Sequence, residues 1–395
     1  MDFPLGLRED WRWNDLEGAI LSTCPSLITI VRDGDSRVVQ FSHFSVKEYL
    51  TSPRLAPSQG DDLWFHIDLE AAHMTMAQAC LVTLLRLDEH AGNGGAKGSP
   101  LIEYAARHWV EHAQFENVSS HMGDGMDDLF DRSKPHFAAW LRVHDIDERW
   151  GHFMSGQSPS VGSPLYYAAF CGFHDLAERL IMKNPEQVNA GGGLILAPLP
   201  AALYKRHLRV ANLLHKHGAV VDVLSETNWT PLHVASISGD VDIMRWLLNH
   251  GADSNSRTNG SRTPLHWAAY NVHLEAVQVL LEHNPDINSQ DVDGDTPLND
   301  ISSKLDSSAE GEAVDIVRRL LEHGADTNIC NNSHSTPLHE ASSRGFLEAA
   351  RLLLSYGAKV DVKDMGGWTP FQMASSNGHY EIAELLLEYG SVPQP

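Results

Sequence analysis

Thr-Pro-Leu-His stands at Thr230-Pro231-Leu232-His233, again at Thr263-Pro264-Leu265-His266, and again at Thr336-Pro337-Leu338-His339. Looser copies occur at Ser163-Pro164-Leu165-Tyr166, Ala197-Pro198-Leu199-Pro200, Thr296-Pro297-Leu298-Asn299 and Thr369-Pro370-Phe371-Gln372. The prolines at 164, 198, 231, 264, 297, 337 and 370 are separated by steps of 34, 33, 33, 33, 40 and 33 residues. So regular a period over 163–390 constrains the fold more than any composition figure. A unit of about 33 residues cannot bury an apolar face alone, so the copies must stack on one another in a linear array.

Each unit reads as two short helices. The Thr hydroxyl caps the free N–H groups of a helix start, and Pro at the first helical position has no N–H to leave unpaired. Leu, His and a small residue (Ala235, Ala268, Ala341, Ala374) then face the neighbouring unit. A second helix carries Met244 with Leu247-Leu248, Val277 with Leu280-Leu281, Val317 with Leu320-Leu321, Leu352 to Leu354, and Leu385 to Leu387. It ends at Gly218, Gly251, Gly324, Gly357 and Gly390, each the place of a left-handed helix stop, or at Asn284-Pro285 in the fourth unit. A hairpin linker such as Gly251-Ala252-Asp253 or Gly324-Ala325-Asp326 follows. This signature resembles the ankyrin repeat. The resemblance implies a mainly α fold, a solenoid of about seven helix-turn-helix repeats with hairpin linkers. His233, His266 and His339 share one motif slot and read as hydrogen-bonding groups between repeats, not as metal ligands.

The net charge of −23 is spread over both halves of the chain. Phosphate binding needs a basic face, so a nucleic-acid partner is not expected, and the acidity reads as solubility. Cys24, Cys80, Cys171 and Cys330 are far apart and lack CxxC spacing, which suits a reducing compartment. Met1-Asp2-Phe3-Pro4 lacks the basic and apolar regions of a signal peptide, and no run reaches the ~18 apolar residues of a membrane span. An intracellular protein, in the cytoplasm or nucleus, with no membrane partner is expected.

Before the array, Asp15 to Ser22 reads as a short helix and Ser26 to Val31 as a strand. Asp33-Gly34 marks a hairpin turn, Val38 to Ser42 returns as a strand, and a helix from His43 stops before Pro53. Helix, hairpin, helix is the tail of a winged-helix domain. His66 to Arg86 reads as one amphipathic helix with Ala72, Met76, Ala79, Cys80 and Leu84 on one face. Leu101 to Phe115 is a second helix, and residues 117–126 read as a polar loop. Phe41-Ser42-His43-Phe44-Ser45-Val46-Lys47-Glu48-Tyr49-Leu50-Thr51-Ser52 resembles the region just after the ATPase core of fungal NACHT receptors, members of the STAND class. Pro100-Leu101-Ile102-Glu103-Tyr104-Ala105-Ala106-Arg107-His108-Trp109 and Phe137-Ala138-Ala139-Trp140-Leu141 are similar to their helical segment. The expected organisation is a winged-helix remnant with a β-hairpin over 1–55, a helical region over 64–150, and an ankyrin array over 160–395.

Candidate chemistry is sparse. Nothing matches the GxxxxGK[ST] loop that cradles phosphates; Gly94-Gly95-Ala96-Lys97-Gly98 has neither the spacing nor the preceding strand. No cofactor, metal or catalytic residue is therefore assigned, and no enzymatic activity is expected. His108-Trp109-Val110-Glu111-His112 matches H-x-x-E-H, so a zinc peptidase stands as a remote alternative; it lacks an indicated third ligand. Asp291-Val292-Asp293-Gly294-Asp295 hints at a calcium loop, but its first and twelfth ligand positions would be Ser289 and Asp300, which do not fit.

What remains is a surface. In ankyrin-like arrays partners dock on the concave face formed by hairpin tips and inner helices. By register these positions are Trp229, Arg262, Asp295, Ser335 and Trp368, with Ile237, Ser238, Tyr270, Asn271, Arg344 and Asn377. Exposed aromatic side chains are common binding anchors. The long step adds seven residues within Asn299 to Glu312, a Ser- and acid-rich run that reads as a flexible protrusion. The expected function is a protein-binding module, the C-terminal sensor part of a NACHT-like receptor. The alternative is a standalone ankyrin scaffold or adaptor. Oligomeric state and ligand are not legible.

Overall fold

The structure is a computed structural model that describes residues 28–33, 36–41, 69–87, 100–144, 146, 162–192, 197–304 and 310–391. The chain divides into two compact units, Met1–Ser155 and Gly156–Pro395. The helices expected over Asp15–Ser22 and from His43, and the Gly-rich stretch at 88–99, lie outside the described residues.

In the first unit, β1 (Ile28–Asp33) pairs antiparallel with β2 (Ser36–Phe41), Asp33 opposite Ser36 and Ile28 opposite Phe41. That register puts Asp33 itself in the ladder, so the first strand runs two residues beyond the Val31 end expected from sequence. Among the described residues four α-helices follow: α1 (Leu69–Leu84), α2 (Pro100–Ala113), α3 (Gly123–Leu129) and α4 (Pro135–Val143). The core is aromatic. Trp109 and Trp140 are fully buried and meet edge to face with centroids 5.3 Å apart, and Phe130 and Phe137 close around Trp140. Trp140 Nε1 donates to the Ala106 carbonyl at 3.1 Å, so its polar edge is satisfied inside the core.

Two expectations for this unit are corrected. The buried face of α1 is Ala77, Cys80, Leu81 and Leu84; Met76 and Ala79 are exposed. Several apolar residues ring this helix, so its pattern allowed either face and packing against α2 chose one. Residues 117–126 are not a loop. A 3-10 helix (Val118–Met122) runs into α3, and Val118, Met122 and Met126 are buried among polar neighbours. Tertiary burial of three residues overrides a composition that reads as irregular.

The second unit is the repeat stack. Its inner helices are α5 (Pro164–Phe170), α7 (Pro198–Tyr204), α9 (Pro231–Ser238), α11 (Pro264–Tyr270), α13 (Pro297–Lys304), α15 (Pro337–Arg344) and α17 (Pro370–Ser376). Its outer helices are α6 (His174–Lys183), α8 (Leu208–Lys216), α10 (Val241–Asn249), α12 (Leu274–Leu281), α14 (Glu310–Glu322), α16 (Leu347–Ser355) and α18 (Tyr380–Glu388). Every inner helix starts at the motif proline. Leu232, Leu265, Leu298 and Leu338 are at most 1% exposed, and each such leucine contributes about 1.5–3 kcal/mol by leaving water. The long run at 299–312 is not a simple protrusion. Asn299, Asp300, Ile301 and Ser302 are buried within α13, and α14 begins at Glu310; residues 305–309 lie outside the described set.

Candidate protein-binding face

The motif histidines hold the face together. In the third, fourth and sixth repeats the threonine N–H donates to the histidine Nδ1 at 3.1 Å. An Nδ1 that accepts carries no proton, so the proton sits on Nε2. Nε2 then donates to a carbonyl of the next hairpin: His233 to Arg262, His266 to Asp295, His339 to Trp368, at 3.1–3.2 Å. Burial pushes the His233 and His266 rings down to about 4 and lowers His339, so near neutral pH all three are uncharged bridges between repeats.

The hairpin tips form a ladder of their own. Asn259 N donates to Thr227 O, Val292 N to Gly260 O, Asn332 N to Asp293 O and Met365 N to Ser333 O, at 2.9–3.0 Å. The edge of the third to seventh repeats is thus a continuous hydrogen-bonded row. Val292, Met365 and Trp368 stand out from it at 58%, 74% and 46% exposure.

The eleven positions read from the register divide by environment. Trp229, Arg262 and Tyr270 come together around Trp267. Trp229 and Trp267 have centroids 4.9 Å apart, and the Arg262 guanidinium lies 5.1 Å from the Trp267 ring and 5.2 Å from Tyr270. Arg262 also pairs with two buried carboxylates, Asp291 at 2.9 Å and Asp300 at 3.0 Å. Its charge is therefore neutralised within the stack. Ser335 is buried and donates to Glu340, and the Asp295 carboxylate accepts from Asn331 Nδ2 at 2.9 Å. Ile237 gives its carbonyl to His273 Nε2 at 2.9 Å; Ser238 and Asn271 bond back into their own helices. Asn377 Nδ2 reaches Ser343 O at 3.1 Å. Arg344 is exposed, 3.9 Å from Glu340, and Trp368 is the most open aromatic of the set.

Asp300 is the strongest electrostatic feature on this side. Burial pushes its carboxyl up to about 7, against the pull of Arg262, and the Asp291, Asp295 and Asp293 charges add to the rise. The short Arg262 contact favours the ionised form and desolvation the neutral one. Desolvation prevails because a single guanidinium serves two buried carboxylates. Burial also raises Asp295.

The sequence reading did not single out a second series. Asn189, Asp222, Asn255, Asn288, Asn328 and Asp361 recur one per repeat in the linkers. Asn189 Oδ1 accepts from Val220 N and its Nδ2 donates to Gly218 O. Asn288 does the same with Asp326 N and Gly324 O, and Asn328 with Lys359 N and Gly357 O. The signal was available: a carboxamide or carboxylate at a constant offset from the motif proline, with the same 40-residue step between 288 and 328.

The motifs weighed for metal chemistry have other partners. His112 faces His73 through Nδ1 at 3.0 Å and Tyr104 Oη through Nε2 at 2.9 Å, while His108 Nδ1 is 3.1 Å from Glu111. The two histidines of H-x-x-E-H thus engage different groups. Asp291 Oδ1 accepts the N–H groups of Asp293 and Asp295, and Oδ2 faces Arg262, which accounts for Asp291 as a turn former and ion-pair partner. Cys80 and Cys171 are buried and Cys330 half-buried, and burial pushes the Cys80 thiol up to about 11. Among the described residues no helix is long and apolar enough to cross a membrane.

Residues 199–291 and 305–394 match the family described as Ankyrin repeats (3 copies), so this part of the chain is an ankyrin-repeat solenoid. The chain is similar to azaphilone pigments biosynthesis cluster protein L of Monascus ruber, 30% identical over 225 residues, covering 51% of this chain and 46% of that protein. It is also similar to protein phosphatase 1 regulatory subunit 27 of Mus musculus, 44% identical over 52 residues, 13% of this chain and 34% of that one. The chain thus spans half or less of the length of these relatives.

Proposed function

We propose that the chain is a protein-binding module, that its partner docks along the hairpin tips and inner helices of the third to seventh repeats, and that it works as the ligand-sensing part of a fungal NACHT-like receptor. The observation that carries the binding reading is the hydrogen-bonded row of tips, studded with Val292, Met365 and Trp368. Repeat arrays bind through such extended edges, each unit adding a small patch. The name of the mouse relative, a regulatory subunit, fits a role exercised on another protein. The receptor context rests on the motifs at 41–52, 100–109 and 137–141, and the Monascus relative is in keeping with a fungal origin. We read the chain as non-enzymatic and cytoplasmic, without nucleic-acid or membrane partners.

The binding test uses a partner captured from fungal extract by the full 395-residue chain, then purified and titrated. Trp368→Ala is expected to weaken its binding at least about tenfold, or roughly 1.4 kcal/mol, while Glu384→Ala on α18 leaves it unchanged. The opposite pattern would place the partner on the outer helices. The receptor reading has its own test in the genome: an in-frame P-loop ATPase upstream supports it, and a transcript that starts directly before the Met1 codon favours the standalone scaffold. By calorimetry the chain itself is expected not to bind ATP.

A further inference from the structure

We infer that the ankyrin stack carries a built-in hinge between its fifth and sixth repeats, at the point where Asn299 stands in the histidine slot. Three junctions are bridged by a motif histidine whose Nε2 reaches a carbonyl 29 residues ahead. Asn299 keeps the local half of this task. Its Oδ1 accepts from Thr296 N at 3.2 Å and from Thr296 Oγ1 at 2.6 Å, as a histidine Nδ1 would. The bridging half is missing. Asn299 is 1% exposed, and its Nδ2 has no hydrogen-bond partner. The equivalent carbonyl belongs to Ser335, which accepts a hairpin N–H from Asn331 just as Arg262, Asp295 and Trp368 accept theirs, but receives no second bond from the preceding inner helix. An imidazole Nε2 lies one bond farther from Cγ than an asparagine Nδ2, so the amide falls short of the next repeat.

The deficit extends beyond one atom. Ser342 on α15 is fully buried with a partnerless Oγ, whereas Ser236 and Ser302 in the same slot donate back to Leu232 O and Leu298 O at 2.7 and 2.8 Å. Buried polar groups without partners cost more than the bonds they lack would have contributed, because their desolvation goes uncompensated. In a solenoid, stability is close to a sum of repeat and junction contributions, so among the four junctions from the third repeat to the seventh, the one without a histidine bridge, where Asn299 Nδ2 is left without a partner, opens first.

The remaining bonds locate the pivot. At the tips, Asn332 N donates to Asp293 O, Asn331 Nδ2 to Asp295 Oδ1, and Gln290 Nε2 to Cys330 O, at 2.9–3.1 Å. In the linker, Asn288 holds Asp326 N at 2.8 Å and Gly324 O at 3.3 Å. The junction is fastened along both edges and unbridged between its inner helices α13 and α15. Opening there parts α13 from α15 and tilts the sixth and seventh repeats as one body, with the tip and linker bonds as its tethers.

Hydrogen exchange with mass spectrometry on the full chain tests this. Peptides from 337–391 are expected to exchange at least tenfold faster than those from 264–296, with a step at the fifth-to-sixth junction. Asn299→His is expected to slow exchange of 337–391 about tenfold, which corresponds to about 1.4 kcal/mol, and to remove the step. His266→Asn removes the bridge one repeat earlier and is expected to create a second step there, a result that does not depend on how the new histidine packs. Exchange that falls off smoothly from the C-terminal end in the parent chain, or a His266→Asn profile with no new step, overturns the inference.

Discussion

Trp229 and Trp267 lie 4.9 Å apart, tilted by 37°, so a hairpin residue before the third repeat rests on the inner helix of the fourth. Trp229 is half-buried by this contact, while Trp368, its counterpart four repeats along the register, has 46% of its surface open. The two therefore differ in kind. Trp229→Ala is expected to lower stability by about 1–2 kcal/mol through lost stacking and burial. Trp368→Ala should leave the melting temperature within a degree or two while weakening partner binding. Thermal melts of the two variants side by side check this, and equal losses of stability would show that Trp368 also packs.

Asp222 occupies the linker slot that Asn189, Asn288 and Asn328 fill with a carboxamide. Its Oδ2 accepts from Asp253 N at 3.0 Å, but its Oδ1 is buried without a partner. Where the amides donate to a glycine carbonyl, a carboxylate cannot. Burial accordingly raises the Asp222 carboxyl above its usual range. A raised folded-state value means that the protonated form favours folding. That contribution is complete below the unfolded carboxyl value of about 3.9 and is lost as pH rises through the folded value. Asp222→Asn is expected to stabilise the chain by about 0.5–1.5 kcal/mol at pH 7 by supplying the missing donor, with the gain shrinking towards pH 4. Denaturant titrations across that range would show a flat difference if the slot were irrelevant.

Arg262 sits between Asp291 and Asp300, whose side chains are 0% and 3% exposed. Replacing it by Met should cost about 3–5 kcal/mol at pH 8, since it leaves buried carboxylates without a counter-charge. Asp300→Asn is expected to be mild at pH 6, where the native side chain already holds its proton. It should become relatively stabilising above the folded value of about 7, because the native contribution of the neutral carboxyl is lost as pH rises through that point. Stability curves that stay parallel from pH 6 to 8 would show that Asp300 is ionised throughout.

Gly324 and Gly345 both have positive φ, 93° and 85°, but only one is crowded. A Cβ on Gly324 would meet nothing within 4 Å, whereas one on Gly345 would come within 2.6 Å of the His379 ring. Gly324→Val should cost about 1–3 kcal/mol from backbone strain alone. Gly345→Ala carries comparable strain and must also displace His379 from its neighbour. Unchanged unfolding of Gly324→Val would remove that residue as a helix stop.

Period, helix starts and helix stops were legible because each is a recurring local requirement: the motif proline stands in all seven repeats, the threonine in five and a positive-φ stop in six. A proline at the first helical position, a threonine cap and a positive-φ stop need no knowledge of neighbours. The hairpin of β1 and β2 was legible for the same reason. The binding face was legible only as a set of positions. Register marks Arg262, Ser335 and Trp368 as equivalent, yet the first is neutralised by Asp291 and Asp300, the second is buried, and the third is open.

The sequence by itself determined that units of about 33 residues stack, where each begins and ends, and that His233, His266 and His339 bridge them, since the slot recurs with the period. Only the tertiary structure decided which junctions are complete. Asn299 satisfies its own threonine as well as a histidine does, and its shortfall appears only against a carbonyl 36 residues away. Asp222 and Asn288 share a slot, and only stacking shows what the slot asks for: Asn288 Nδ2 meets the Gly324 carbonyl, while Asp222 Oδ1 meets no donor. These outcomes depend on donors and acceptors brought together by stacking, across distances that no local pattern encodes.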